Sequence, residues 1–317
     1  MLYTYTTITI MSIEFKPSNQ LNFNAFVKVS RDVYPSNSIN ALIRKLFFYC
    51  KAKKNSALIQ KFSQEINQLG YGHIFQHEPS VFGNVVWPYI HKDWGVAERF
   101  SSISKHYKLL KSLPKFLDIS DGSPKEIVNL SAFSPNTAIV LDKPRWFVRE
   151  GEIVLNIFHH DLRVMSIAFS LGYHNNEIAL YVGGIQGIHS GVPSQKSLEI
   201  IKQLTKDFHG LRPRSFVIMA LRMIATRVGA TKILAVDQKH RHHHHPYFKS
   251  SAKSLSNTNY DEIWSDHEGA PHADGFYHLN INTAHKDLSE FESKKRSMHR
   301  KRYDMLDQVE QQILQLG

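Results

Sequence analysis

Glycines crowd the run Gly183-Gly-Ile-Gln-Gly-Ile-His-Ser-Gly191, with Gln186 and His189 among them. A glycine-rich segment that leads into a helix can turn backbone N–H groups and the helix dipole onto an anion. Gly184, Gln186, Gly187 and Gly191 are therefore candidate anion-binding positions. Gln186 can orient an amide or phosphate, and His189 is the candidate catalytic acid or base. Arg212 and Arg214 flank Pro213 where a helix N-terminus is expected, and two guanidinium groups there can clamp a phosphate or carboxylate. His240-Arg-His-His-His-His245 has the composition of a metal tract. A built metal site draws ligands from separate elements in fixed geometry. The run therefore reads as an exposed, dispensable loop, and His242, His243, His244 and His245 would bind metal only adventitiously. In Tyr260-Asp-Glu-Ile-Trp264 the two carboxylates are adjacent, point apart on a helix, and read as capping groups.

The elements that must position these groups change period along the chain. Ser38 is a helix N-cap, followed by Ile39, Leu42, Ile43, Leu46, Phe47 and Cys50 at helical spacing. That stripe reads as a core face with a solvated basic end, and Cys50 as a small buried hydrophobe. The other reading is a basic amphipathic helix that meets anionic lipid or nucleic acid. Further helices are expected over about 57–69 and from Asp93 to before Pro114. The Ser-, Pro- and Asn-rich stretch from Ser120 to Pro144 reads as a long connection. After it, three runs alternate like strands: Glu152–Phe158, Arg163–Leu171 and Glu177–Gly183. Short turns between them predict an antiparallel meander. Helices from Ser194 and Pro213 and a short strand, Lys232–Val236, complete the order β-β-β-loop-α-α-β.

The class is thus α/β (α+β): a helical N-terminal part, then a mixed, mainly antiparallel sheet flanked by helices. The boundaries are an N-terminal extension over 1–35, helices over 36–118 and an α/β domain over 119–317. The order resembles that of acyl-CoA-dependent N-acyltransferases of the GNAT type. That resemblance implies acyl-CoA as the cofactor, its pyrophosphate held by the loop after the third strand and a helix N-terminus. It also implies a V-shaped split between that strand and Lys232–Val236. His189 stands where the GNAT pattern has its first glycine.

Several segments in order, Arg149-Glu-Gly-Glu-Ile153, Ser166–Ser170, Tyr181-Val-Gly-Gly-Ile-Gln-Gly187, Leu211–Phe216, Tyr260–Trp264, Asp274–Leu279 and Lys294–Tyr303, resemble the bacterial VirK/YbjX family. That resemblance spans about 89–306. It implies roles in the cell envelope, virulence, surface-protein localisation and resistance to cationic antimicrobial peptides. It assigns no catalytic residue.

Composition bounds the rest. With 317 residues, 42% hydrophobic and 21% charged, the chain is long and apolar enough for a sizeable core, which excludes a disordered or collagen-like protein. One cysteine excludes an intrachain disulfide. Lysine and arginine (39) exceed aspartate and glutamate (28), giving +11, which suits an anionic small molecule, lipid headgroup or envelope protein. No nucleic-acid motif stands out among these basic segments. The apolar runs are too short to span a membrane and no secretory signal is visible, so the expected location is cytoplasmic, with peripheral contact at the inner membrane. Met11 offers a second start.

Overall fold

The computed structural model describes residues 23–248, 258–282 and 286–317, so Met1, Met11 and the question of the start lie outside it. The chain divides into two compact units, 1–85 and 86–317. In the first, α1 (Phe23–Val33) lies within the stretch expected to be an N-terminal extension. Next come α2 (Ile39–Lys54), α3 (Ser56–Gln68), α4 (Ile74–His77) and a 3₁₀ segment, Pro79–Val85. The Ser38 hydroxyl accepts the Ala41 N–H at 3.3 Å, as its cap role requires. The core is built from Phe48, Ile59, Phe62, Ile66, Phe75 and Phe82.

The stripe expected to bury α2 does not do so. Ile39, Leu42, Ile43, Leu46 and Phe47 are exposed, Ile39 at 78%, and so is Cys50. The helix is apolar on two sides. It is the other side, Ala41, Phe48 and Ala52, that packs on α1 and the 3₁₀ segment. Two alanines there let backbones approach closely, whereas the bulky stripe would hold them apart.

In the second unit α5 (Val96–Leu110) packs on the sheet, so it belongs with the strands and not with the helices before it. Five antiparallel strands follow in sequence: β1 (Lys125–Asn129), β2 (Thr137–Asp142), β3 (Ile153–His159), β4 (Leu162–His174) and β5 (Glu177–Gly187). The first two lie inside the stretch expected to be a connection. They are short and polar at their ends, and β1 carries an irregularity between Glu126 and Val128, which hides the alternation. The meander β3–β4–β5 forms as expected. Asn175 and Asn176, both at positive φ (51° and 65°), make its second turn, a conformation asparagine tolerates.

Then come α6 (Ser194–Asp207), α7 (Pro213–Arg227), β6 (Lys232–Val236), α8 (Tyr260–Asp266), β7 (Ala270–Pro271), β8 (Phe276–Leu279) and α9 (Ser293–Leu314). Among the described residues the sheet has eight strands in the order β1-β2-β3-β4-β5-β6-β8-β7, parallel only where β5 meets β6. Right-handed crossover is the rule for such a parallel pair, and α6 and α7 supply the connection. Of the two, α7 is the core helix. It packs across β3, β4, β5 and β6, with Phe216, Val217, Leu221 and Ile224 buried, whereas α6 buries only Leu204.

A carboxylate sits inside this unit. Glu152 accepts hydrogen bonds from Tyr89 (3.1 Å), Tyr107 (3.0 Å) and Lys143 (2.5 Å), and the Leu171 N–H donates to His106 Nδ1 close by (3.1 Å). Burial pushes the Glu152 carboxyl up, but the charges of Lys143 and His106 and the hydrogen bonds hold it below its usual range. Burial lowers His106 to about 4, against a smaller upward pull from Glu152.

Acid should therefore weaken the fold in two steps. Between roughly pH 6.5 and 4 the unfolded chain binds a proton at His106 that the folded chain refuses. Stability then falls as pH drops, by about 3 kcal/mol at the foot of that window. Below the unfolded carboxylate range, protonation of Glu152 removes more. Urea unfolding at pH 7, 5.5 and 4.5 should show this loss, and His106→Gln should flatten its upper part. An unchanged slope in that variant would rule His106 out as the source.

Candidate functional site

Strand β5 outruns its parallel neighbour. It pairs with β6 only over Ala179–Val182, against Lys232–Ala235, while Gly184–Gly187 pair on the other side with β4. The sheet therefore splits beyond Val182. Tyr260, at the start of α8, reaches into the split: its buried hydroxyl accepts the Ile185 N–H (2.9 Å) and donates to the Ile185 carbonyl (3.1 Å). Burial, with the nearby Glu150, raises this phenol to about 12 and keeps it protonated. The Arg241 guanidinium lies 3.8 Å from the centre of the Tyr260 ring.

Gly183 to Gly187 are strand residues, and this corrects the expectation of a loop. The reason is Glu150. A Cβ on Gly183 would run into the Glu150 main chain, and one on Gly184 into its carboxylate. Glycine is required here by close approach, not by a turn. Glu150 itself is 1% exposed. Its Oε2 accepts a hydrogen bond from Gln186 Nε2 (2.9 Å), and its Oε1 lies 3.9 Å from His242 Nδ1 and 3.7 Å from His243 Nε2.

His242 is buried at 3% exposure, which overturns the expectation of an exposed histidine loop. Its backbone forms a 3₁₀ turn, His242–His244, and its ring packs on His243 and Phe248. Burial, followed by His243, Arg149 and Arg241, holds it well below the ordinary histidine range, so it stays neutral. Its Nδ1 is buried without a hydrogen-bond partner among the described residues. A buried carboxylate beside a neutral imidazole can accept and pass on a proton. Glu150, His242 and His243 also have ligand atoms within 4.8 Å of one another, close enough for one cation. The guanidinium charges of Arg149 and Arg241 act against an added positive charge at His242.

A cavity of about 470 Å³ opens at the other side of β5. Gly187, Leu198, Ile201, Arg212, Arg214, Ile263, Asp266 and His267 line it. Arg212 is the N-cap of α7, with no side-chain cap bond, and Pro213 follows at N1. The first turn of α7 thus brings the positive end of the helix dipole and two cations to the cavity. Consecutive strand residues face opposite ways. Gln186, which holds Glu150, and Gly187, which lines the cavity, therefore open on opposite faces of one strand.

The candidates from sequence sort into two groups. Gly184, Gln186, His242 and His243 meet at Glu150, and Gly187, Arg212 and Arg214 meet at the cavity. His189 and Gly191 join neither: His189 Nδ1 accepts the Gly191 N–H (3.0 Å) in a local turn. His244 is exposed, and His245 Nδ1 accepts the Tyr247 N–H (3.0 Å). Sequence reasoning missed Glu150, Tyr260 and Arg241 as site residues. Its available signal was the pair Gly183-Gly184, which demands a close neighbour.

The structure thus defines a mixed α/β protein whose sheet splits around a buried carboxylate, with an arginine-lined cavity beside it. Residues 38–315 match the family described as a protein of unknown function, DUF535, and the chain belongs to that family. It is 29% identical over 147 residues to the uncharacterized protein YbjX of Escherichia coli, covering 46% of this chain and 43% of that protein. One uncharacterized Haemophilus influenzae protein is 32% identical over 168 residues (53% of each chain). Another is 25% identical over 282 residues, 88% of this chain and 91% of its own. Against the first two of these relatives the match spans about half of their length. No solved structure matches.

The histidine run should behave unevenly under substitution. His242→Ala should cost about 2 kcal/mol as a buried large-to-small change, and His244→Ser should stay within about 0.5 kcal/mol of wild type. Denaturant melts of the two variants check this. Equal stability would return His242 to the exposed class.

Proposed function

We propose that this protein is an acyltransferase that takes an acyl group from a pantetheine thioester, acyl-CoA or an acyl-carrier arm, and passes it to an amine or hydroxyl of an envelope component. The observation that carries the reading is the split after Val182, flanked by a base on one face of β5 and a cationic cavity on the other. The GNAT resemblance implies a split at this position.

The residues fit such a ligand. Arg212, Arg214 and the first turn of α7 suit its phosphates, and Leu198, Ile201 and Ile263 suit its apolar arm. Of the expected site, Gly183–Gly191 with Arg212 and Arg214, this reading keeps the two arginines for the anion, because α7 and not α6 is the helix that packs on the sheet. When bound, the thioester supplies the activated acyl group. Glu150, with neutral His242 beside it, takes the proton of the acceptor amine or hydroxyl. The proton that Glu150 has taken goes on to the departing thiolate, while Tyr260 keeps its own on the Ile185 carbonyl inside the split. Gln186 fixes the Glu150 carboxylate through Oε2 and leaves Oε1 facing the histidines.

The resemblance to the VirK/YbjX family supplies the setting: envelope maintenance, with virulence and resistance to cationic antimicrobial peptides as its outcomes. Thermal shift tests the reading, since a ligand of the folded state raises Tm. Coenzyme A and acyl-CoAs should raise it, and Arg212→Ala with Arg214→Ala should abolish the rise while leaving the unliganded Tm unchanged. Glu150→Gln should keep the rise but fail to restore peptide resistance to a deletion strain. No rise with any pantetheine compound, or full complementation by folded Glu150→Gln, would overturn the proposal.

A further inference from the structure

Helix α2 carries an apolar face that the fold leaves uncovered. Ile39, Leu42, Ile43, Leu46 and Phe47 are exposed, and Cys50 continues their stripe. They recur at helical spacing on the side opposite Ala41, Phe48 and Ala52, which anchor the helix. Single exposed hydrophobic residues are ordinary, but a contiguous stripe along a 16-residue helix marks an interaction surface. Its charge is one-sided. Arg44, Lys45 and Lys51 border the stripe, Lys53 and Lys54 close its C-terminal end, and the helix holds no acidic residue. Lys51 Nζ lies 5.5 Å from the centre of the Phe47 ring, level with the edge of the apolar face.

An apolar stripe edged only by cations suits an anionic lipid surface. The hydrophobic side chains can enter the boundary between headgroups and acyl chains, while the long basic side chains reach back to the phosphates. We propose that α2 docks the protein in the plane of an anionic phospholipid bilayer. It lies on the membrane and does not cross it. Among the described residues no helix is long and apolar enough to span one. This inference stands apart from the acyl-transfer reading, since it uses none of the residues around the split.

The chain's one cysteine provides the reporter. Cys50 is exposed within the stripe, so an environment-sensitive fluorophore attached there reads entry into lipid directly. The full chain should float with vesicles of phosphatidylcholine mixed with phosphatidylglycerol, with a blue shift of the label. It should bind vesicles of phosphatidylcholine alone at least tenfold less, and high salt should weaken the anionic binding. Leu46→Ser with Phe47→Ser should lower the affinity by tenfold or more for each side chain, from the lost apolar transfer, with Tm unchanged because both positions are exposed. Absence of binding, equal binding to both vesicle types, or equal binding by the double variant would overturn the proposal. So would a wild-type dimer in light scattering that the double variant abolishes, together with no vesicle binding, because the face would then belong to a second copy.

Discussion

Everything at the centre of the sheet depends on one close approach. The backbone of Glu150 crosses β5 where Gly183 and Gly184 leave no room for a Cβ. That contact occupies the strand just where its parallel pairing with β6 ends, and it seats the Glu150 side chain against the strand. The break in the ladder and the position of the carboxylate therefore have one cause. Opposite Gly183 the register of β4 shifts between Ala168 and Phe169, which absorbs the extra residue. With β6 drawn away, Ile185 presents an N–H and a carbonyl that need partners, and the single hydroxyl of Tyr260 satisfies both.

A second buried carboxylate lies only two residues on and has a different fate. Glu152 is surrounded by donors: two phenols and an ammonium group hold it in place. Such a group, removed from water and fully engaged, is structural: taking away one partner would leave a buried charge uncompensated. Glu150 has one clear hydrogen bond, from Gln186, and its other oxygen stands just short of bonding distance from two imidazoles. The Gly151 between them has its own constraint, since a Cβ there would meet the Phe169 backbone. The sequence Arg-Glu-Gly-Glu thus carries one carboxylate that fastens α5 to the strands and one that is held by Gln186 with its other oxygen toward two imidazoles.

The meander, the α6–α7 pair and the short parallel strand were legible because their apolar residues follow a single period. What stayed hidden has physical reasons. Helix α2 has two apolar sides, and periodicity cannot say which one meets a neighbour; the smaller side won because alanine permits closer packing. Strands β1 and β2 are too short and too polar at their ends to show alternation. Gly183–Gly187 has the composition of a loop, since composition cannot distinguish a glycine needed for a turn from one needed for a neighbour. The histidine run looked like low complexity, yet His242 is part of the core. Arg212 and Arg214 were readable because a proline at the first helical position fixes where the helix begins.

The charges around Glu150 narrow what that carboxylate can do. Arg149 lies over Trp87 at 4.5 Å and Phe248 at 5.3 Å, and Arg241 lies over Tyr260 at 3.8 Å. Aromatic faces accommodate these cations in a setting where water is scarce. Both also act on His242 and help to keep it neutral. The imidazole therefore stands beside the Glu150 carboxylate as an uncharged neighbour and not as an ion-pair partner. The same cations oppose the capture of a metal by Glu150, His242 and His243, although their ligand atoms are close enough for one. Position and burial thus set Glu150 at the inner end of the split, beside a His242 whose protonation the two guanidinium charges oppose. At the cavity on the other face, Arg212 and Arg214 place two further guanidinium groups, with Asp266 on the same lining.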